Sequence, residues 1–381
     1  MKTHQLHTAD RIANTNALLQ QLKGISLQGL SKMIDPEKQL FCLKVRKNGN
    51  GVLREGHSLR YTIISLIGLY RAEARGEKIH FDIQGQLKTL CANIGRIDNI
   101  GDMGLLLWLC ALAQPSMIDA LLSHINRNDL LLNFSDAREG KTTELAWLLT
   151  GLSYAAMAPA SASDSSSIER LARSIYESVK KNYGGKGIFG HQSKNTLEGK
   201  LRGRIGSFAD QVYPIYGLSK FSKAYDNPEA LNIALDCANT LCRHQGAFGQ
   251  WWWHYDANTG KVLGRYPVYS VHQHSMAPMA LFALEEASGR NYHPYIYKGL
   301  EWITGKNELG VNMIDDKNNV IWRSFYRPAY KMRLEEFSSL ARSPQDNKKC
   351  SDLIILYESR PYCLGWLLYA FADKTERGEN I

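Results

Sequence analysis

The hydrophobic pattern of this chain switches character at regular intervals, and that alternation restricts the fold more than any other feature. Segments that are apolar on one face at helical spacing are followed by segments that are apolar almost all the way round. The one-faced set begins at about Thr8–Leu22 and recurs near Asp82–Ile94, then as PSMIDALLSHI, ERLARSIYESVKKNY, NPEALNIALDCANTLCRHQ and HPYIYKGLEWITG. The continuously apolar set runs from about Gly56 to Arg75, then as NIGDMGLLLWLCALA, TTELAWLLTGLSYAAMA, SFADQVYPIYGLSKFSKAY, HQHSMAPMALFALEEASG and PYCLGWLLYAFAD. A helix apolar on most sides is surrounded by other helices, whereas a one-faced helix lies outside them. Six of each in strict alternation predict an all-α fold, an (α/α)6 toroid of six inner and six outer helices. We expect a single domain over residues 1–381, with a long loop or lid insertion at 305–359 and no alternating strands. Helix starts are marked by Asp164 or a nearby serine, and by Asn227 as cap with Pro228 at the first helical position.

At 44% apolar residues the chain has ample material for a buried core. Charged residues interrupt every long apolar run, so no transmembrane segment is expected. The polar N-terminus MKTHQLHTADRIANTNALL carries no secretory core, which points to a cytoplasmic protein. Seven cysteines, Cys42, Cys91, Cys110, Cys237, Cys242, Cys350 and Cys363, lie mostly in apolar helical segments and read as reduced, buried thiols. The net charge of +9 favours anionic partners. The basic residues are scattered, and no nucleic-acid-binding pattern accompanies them.

The stretch Arg243–Leu284 holds a helix end, a glycine-rich turn with three consecutive tryptophans and a polar cluster that opens an apolar helix. Within it Gln245, Gly249 and Trp251 have the spacing Gln, three residues, Gly, one residue, Trp. This resembles the QW repeat of the squalene cyclase and protein prenyltransferase superfamily, itself built on α/α toroids. The resemblance implies a Gln that caps an inner helix and a Trp that stacks beside it.

In such a toroid the inner helices start at one end, which gathers their unpaired N–H groups and partial positive charge. The residues at these starts are Arg54, Glu55 and His57; Asp102; Glu144; Asp210 and Gln211; His272, Gln273 and His274; and Glu358, Arg360 and Tyr362. We expect them to converge on one mouth, with His272 or His274 as acid or base, Asp210 and Glu144 as partner carboxylates and Glu55 as a second acid/base group. Asp210 and His274 each precede a proline by four residues, Pro214 and Pro278, which aligns the two side chains on neighbouring helices. Trp252, Trp253, His254, Tyr255 and Tyr269 offer flat faces around the opening. Arg323 and Arg327 are placed to hold a carboxylate or phosphate, and Arg54, His57, Asp102, Gln211, Gln273, Arg360 and Tyr362 complete the binding set.

A protonating terpene cyclase needs a DxDD acid motif, and NMIDD carries Met313 where the first aspartate belongs. DDKNN at Asp315 is a poor match to the metal-binding motif of the ionising type, and no zinc constellation is found; no metal or cofactor is expected. Other enzymes on α/α toroids, including sugar epimerases, unsaturated uronyl hydrolases and polysaccharide lyases, act on carbohydrates. A mouth of acids, histidines, arginines and aromatic rings suits an anionic, uronate-like saccharide, processed by an epimerase, lyase or glycoside hydrolase. An isoprenoid-processing enzyme and a non-catalytic glycan-binding toroid remain the alternatives.

Overall fold

The computed structural model describes residues 2–127, 140–159, 165–192, 203–328 and 352–374. These contain twelve α-helices: α1 (Lys2–Met33), α2 (Leu59–Glu73), α3 (Ile83–Ala92), α4 (Ile100–Ala113), α5 (Ile118–Arg127), α6 (Thr142–Met157), α7 (Ser165–Lys181), α8 (Ala209–Tyr225), α9 (Pro228–His244), α10 (Ala277–Ser288), α11 (His293–Ile303) and α12 (Pro361–Phe371). Helix α2 packs on α4, α4 on α6, α6 on α8, α8 on α10, α10 on α12, and α12 returns to α2, which closes the inner ring. Helices α3, α5, α7, α9 and α11 each lie against the inner helix before them, and α1 lies against α12. The architecture is the all-α toroid that the alternating periodicity predicts.

Burial follows the same division. Helix α4 hides nearly its whole circumference from Ile100 to Ala111, whereas α9 leaves most of its residues partly exposed and buries one side, including Ala230, Ala234, Cys237, Ala238 and Leu241. Glycines let inner helices approach at backbone distance. A Cβ on Gly68 of α2 would sit 2.0 Å from the Gly365 carbonyl oxygen of α12, and one on Gly151 of α6 would sit 2.3 Å from the Gly104 oxygen of α4. The axis is filled with rings: Trp108 packs at 5.0–5.3 Å against Tyr154, Tyr216, Trp366 and Tyr369. The hydroxyls of Tyr154, Tyr216 and Tyr369 are all mutually hydrogen-bonded below it.

Several expectations need correction. The described residues include thirteen strands, β1 to β13, none longer than five residues and all in the connections. Such short pieces leave no alternation to detect. The segment before α2 is a hairpin, β3 (Lys44–Asn48) and β4 (Gly51–Glu55), turning through Gly49 at φ +56° and flanked by β13 (Glu358–Ser359). Helix α1 extends well beyond Thr8–Leu22 in both directions. Before α10 stands a π-helical turn, His272–Met276, in which Ala277 N–H donates to the His272 carbonyl. Pro278 has no N–H to give the His274 carbonyl, and the wider turn accommodates that loss. In the 305–359 stretch, β11 (Ser324–Tyr326) pairs with β8 (Val268–Tyr269) and β12 (Ile354–Leu356), burying Trp322 and Phe325. Asp164, Arg333 and Cys350 lie outside the described residues. The other six cysteines are free and buried. Among the described residues no helix is long and apolar enough to cross a membrane, and no group of three or more His, Cys, Asp or Glu side chains could hold a metal ion.

Candidate active site at the inner-helix starts

Side chains at the starts of the inner helices touch one another around most of the ring. Arg60 of α2 forms an ion pair with Asp102 of α4, and its guanidinium lies 5.0 Å over the Trp147 ring of α6. Asn99, the N-cap of α4, accepts from the Gly101 and Asp102 amides and donates to Glu144 Oε1 of α6 at 3.0 Å. Thr143 of α6 donates to Asp210 Oδ1 of α8 at 2.9 Å. Phe208, just before α8, packs 4.4 Å from the His272 ring. Arg323 lies 4.7 Å over Tyr269 and 3.6 Å from Glu358 Oε1. Arg360 donates to Glu358 at 2.7 Å and to the Tyr61 hydroxyl at 2.9 Å, and Tyr61 packs on Tyr362 at 4.6 Å, returning the circuit to α2.

Asp102 differs from the other carboxylates. Burial, the largest influence, pushes its carboxyl above the ordinary value; the hydrogen bond and charge of Arg60 oppose this, while Glu144 and Asp98 add to it. Its side chain remains 15% exposed. The reverse holds for Glu358. Burial raises its carboxyl, but Arg360, Arg323 and Lys44 together hold it below the usual range.

The expected histidine chemistry is not assembled. His274 is wholly buried, its Nδ1 bonds the Ser275 hydroxyl at 2.6 Å, and that hydroxyl donates to the Cys363 carbonyl. Asp210 meets His191 instead, at 3.1 Å, and accepts from Ser207 N–H and hydroxyl as well as Thr143, which occupies its acceptor sites. The π turn adds a residue to the helix start, so equal spacing from a proline does not give equal facing. His272 is also buried, between Phe208, Trp253 and Tyr269. Burial depresses both imidazoles to about 3.

The remaining candidates divide in the same way. Trp253 and Tyr269 form a wall 4.9 Å apart. Gln211 is a buried crosslink between Phe189 and Ser207, Gln273 bonds the Tyr269 carbonyl, and Tyr255 is in the core. Arg54 and His57 turn to the hairpin of β1 (Ile34–Asp35) and β2 (Leu40–Phe41), bonding the Ile34 carbonyl and Asp35, while Glu55 pairs with Lys44 and Arg46. Trp252 donates to the His244 carbonyl and packs on Tyr266, over which Arg327 lies; His254 packs beside Trp253. Gln245 donates to the carbonyls of Gly249 and Tyr295, so it ties its turn to outer helix α11 and does not cap an inner helix. Arg60, Tyr61, Asn99, Thr143 and Trp147 were missed. Arg60 left a signal, since a cation in the first turn of an apolar helix opposes the helix dipole and calls for a reason.

No family model matches the chain, and no curated protein matches its sequence. Solved structures do match in shape. Unsaturated glucuronyl hydrolase from Bacillus sp. GL1 aligns over 95% of this chain and 96% of that one, with a TM-score of 0.56 and 14% identity. The Streptococcus agalactiae unsaturated glucuronyl hydrolase, as an aspartate-to-asparagine variant complexed with dGlcA-GalNAc6S, covers 95% and 92% at TM-score 0.58 and 11% identity. A possible GH105 family member from Klebsiella pneumoniae covers 93% and 92% at TM-score 0.56 and 12% identity. The fold is similar to that of the glucuronyl hydrolases. The resemblance to squalene cyclases finds no support in these matches.

Proposed function

We propose that the mouth is the active site of a glycoside hydrolase that acts on uronate-containing saccharides, with Asp102 as proton donor and Glu144 as the base that activates water. The observation that carries this reading is the Asp102 carboxyl, raised by burial while paired with Arg60, on a helix whose N-cap Asn99 accepts from the Asp102 backbone N–H and donates to Glu144. A carboxyl whose burial favours the protonated form, with a second carboxylate on the neighbouring helix, is the pairing glycosidic cleavage requires. Asp102 gives its proton to the leaving oxygen as the anomeric C–O bond breaks, and Arg60 then meets a full carboxylate, so the ion pair strengthens as the step proceeds. Water supplies the new C–O bond and its proton passes to Glu144. Tyr61, Tyr362, Trp253 and Tyr269 give sugar rings flat faces, and the positive net charge draws an anionic substrate. The ring-filled axis beneath favours a saccharide at the mouth over an isoprenoid in the barrel. The fold match to enzymes named for glucuronyl hydrolysis supports the same choice.

The test is turnover by the full chain of a panel of uronate-terminated oligosaccharides, saturated and unsaturated, with prenyl diphosphates as the contrast. Asp102→Asn and Glu144→Gln are expected to lower kcat by about 10²–10⁴ while calorimetric affinity stays within a few-fold. Consumption of a prenyl diphosphate, or full activity in Asp102→Asn, overturns the reading. Binding without turnover by the unaltered chain makes the toroid a glycan-binding module.

A further inference from the structure

Glu358 is buried at the rim, its side chain only 4% exposed, and faces three cations. Its Oε1 takes the Arg360 Nε at 2.7 Å and lies 3.6 Å from Arg323 Nε, and its Oε2 is 3.3 Å from Lys44 Nζ. On the same face of the β3–β4 hairpin, Lys44 and Arg46 share Glu55. Four cations thus meet two carboxylates, leaving positive charge in excess. Arg323 adds a second observation: its Nη1 is buried and donates to no acceptor among the described residues. A guanidinium donor withdrawn from water without a partner is costly, and an arriving oxyanion relieves that cost. Both forks lie against aromatic rings, Arg323 over Tyr269 and Arg360 beside Tyr61, where a sugar face would pack.

We infer that Arg323 and Arg360, aligned by Glu358, form the subsite that takes the anionic substituent of the saccharide, a carboxylate or a sulfate ester. This rests on the reading of the mouth as a uronate-processing site and adds which groups recognise the charge. Glu358 is a positioning residue. It offsets the repulsion between two guanidinium groups and fixes their planes, leaving Arg323 Nη1 for the ligand.

Calorimetry on the full chain compares a glucuronate-terminated disaccharide, its methyl ester and a terminal 6-sulfated glucose analogue. The acid is expected to bind at least about tenfold more tightly than the ester, and Arg323→Gln or Arg360→Gln to reduce that preference to about twofold or less. Arg323→Lys, which keeps charge without the fork, is expected to restore part of it and guards against a folding defect in the glutamine variants. Glu358→Gln is expected to raise KM for the acid with kcat nearly unchanged. The acid-over-sulfate ratio assigns the source of the charge. An unaltered chain that binds ester and acid equally, or an Arg323→Gln variant that still discriminates, overturns the inference. Discrimination that depends on Arg323 in a chain that turns nothing over keeps the subsite and removes the hydrolase. Turnover that depends on Asp102 with discrimination indifferent to Arg323 does the opposite.

Discussion

Where the inner helices begin, Arg60 pairs with Asp102, Asn99 reaches Glu144, and Glu358 gathers Arg323 and Arg360, with Arg323 Nη1 buried and unpaired among the described residues. Where the same helices approach their other end, Tyr154, Tyr216 and Tyr369 close a triangle of hydroxyls under Trp108, and Arg71 lies 4.2 Å over the Tyr369 ring, paired to Asp373. The helices are shared, so the contrast comes from the side chains at each end. The floor is tied together by its stacked rings and hydroxyl triangle, although Trp108 Nε1 is buried without a partner among the described residues; the mouth, under the proposed function, is where a ligand adds contacts. Substitutions at the two ends should therefore fail differently.

The largest expected effect is at the floor. Trp108 is wholly buried against four rings, and Trp108→Ala should cost about 3–5 kcal/mol in urea unfolding. Affinity for a glucuronate disaccharide, measured on the folded fraction, should change little. A variant of undiminished stability with lost affinity would reverse the roles of the two ends.

A pH titration comes next. His272 and His274 fall from an ordinary 6.5 to about 3 because burial excludes the charged ring. Unfolding lets both take up protons, so their contribution to stability is complete above about pH 6.5 and is lost as pH falls toward 3. Each ring should remove about 1.4 kcal/mol per pH unit within that window. Thermal melting of the unaltered chain should drop on acidification, and His274→Gln should flatten the slope. A melting temperature constant from pH 7 to 5 would show that these rings are not buried neutral.

The ring of helices was legible because inner and outer helices bury different fractions of their surface, and twelve helices repeat the contrast. Helical periodicity says which helix is inner but not its rotation, which is why Asp102 and Glu144 stand at the opening while His274 and Asp210 turn into protein. The π turn before α10 changes that rotation, and Pro278, which lacks the N–H an α-helical turn would use there, marks the sequence only as a register point. Arg60 and Asn99 each lie three residues from a more conspicuous polar group, His57 and Asp102. The β3–β4 hairpin carries a turn signal in Asn48–Gly51, but strands this short carry no alternation.

Two tyrosines give the finest division between the ends. Tyr216→Phe removes one hydroxyl from the floor triangle; Tyr154 and Tyr369 still bond each other at 2.8 Å, yet one of them is left with a buried donor unpaired. That should cost about 1–2 kcal/mol of stability and leave saccharide affinity alone. Tyr61→Phe removes the acceptor of Arg360 Nη1 at the half-buried mouth, where water can replace it. Stability should then move by no more than about 0.5 kcal/mol, while the preference for the acid over its methyl ester weakens as Arg360 loses its second anchor. If the floor variant alters the preference and the mouth variant alters only the melting temperature, the separation between a self-sufficient end and a ligand-completed end does not hold.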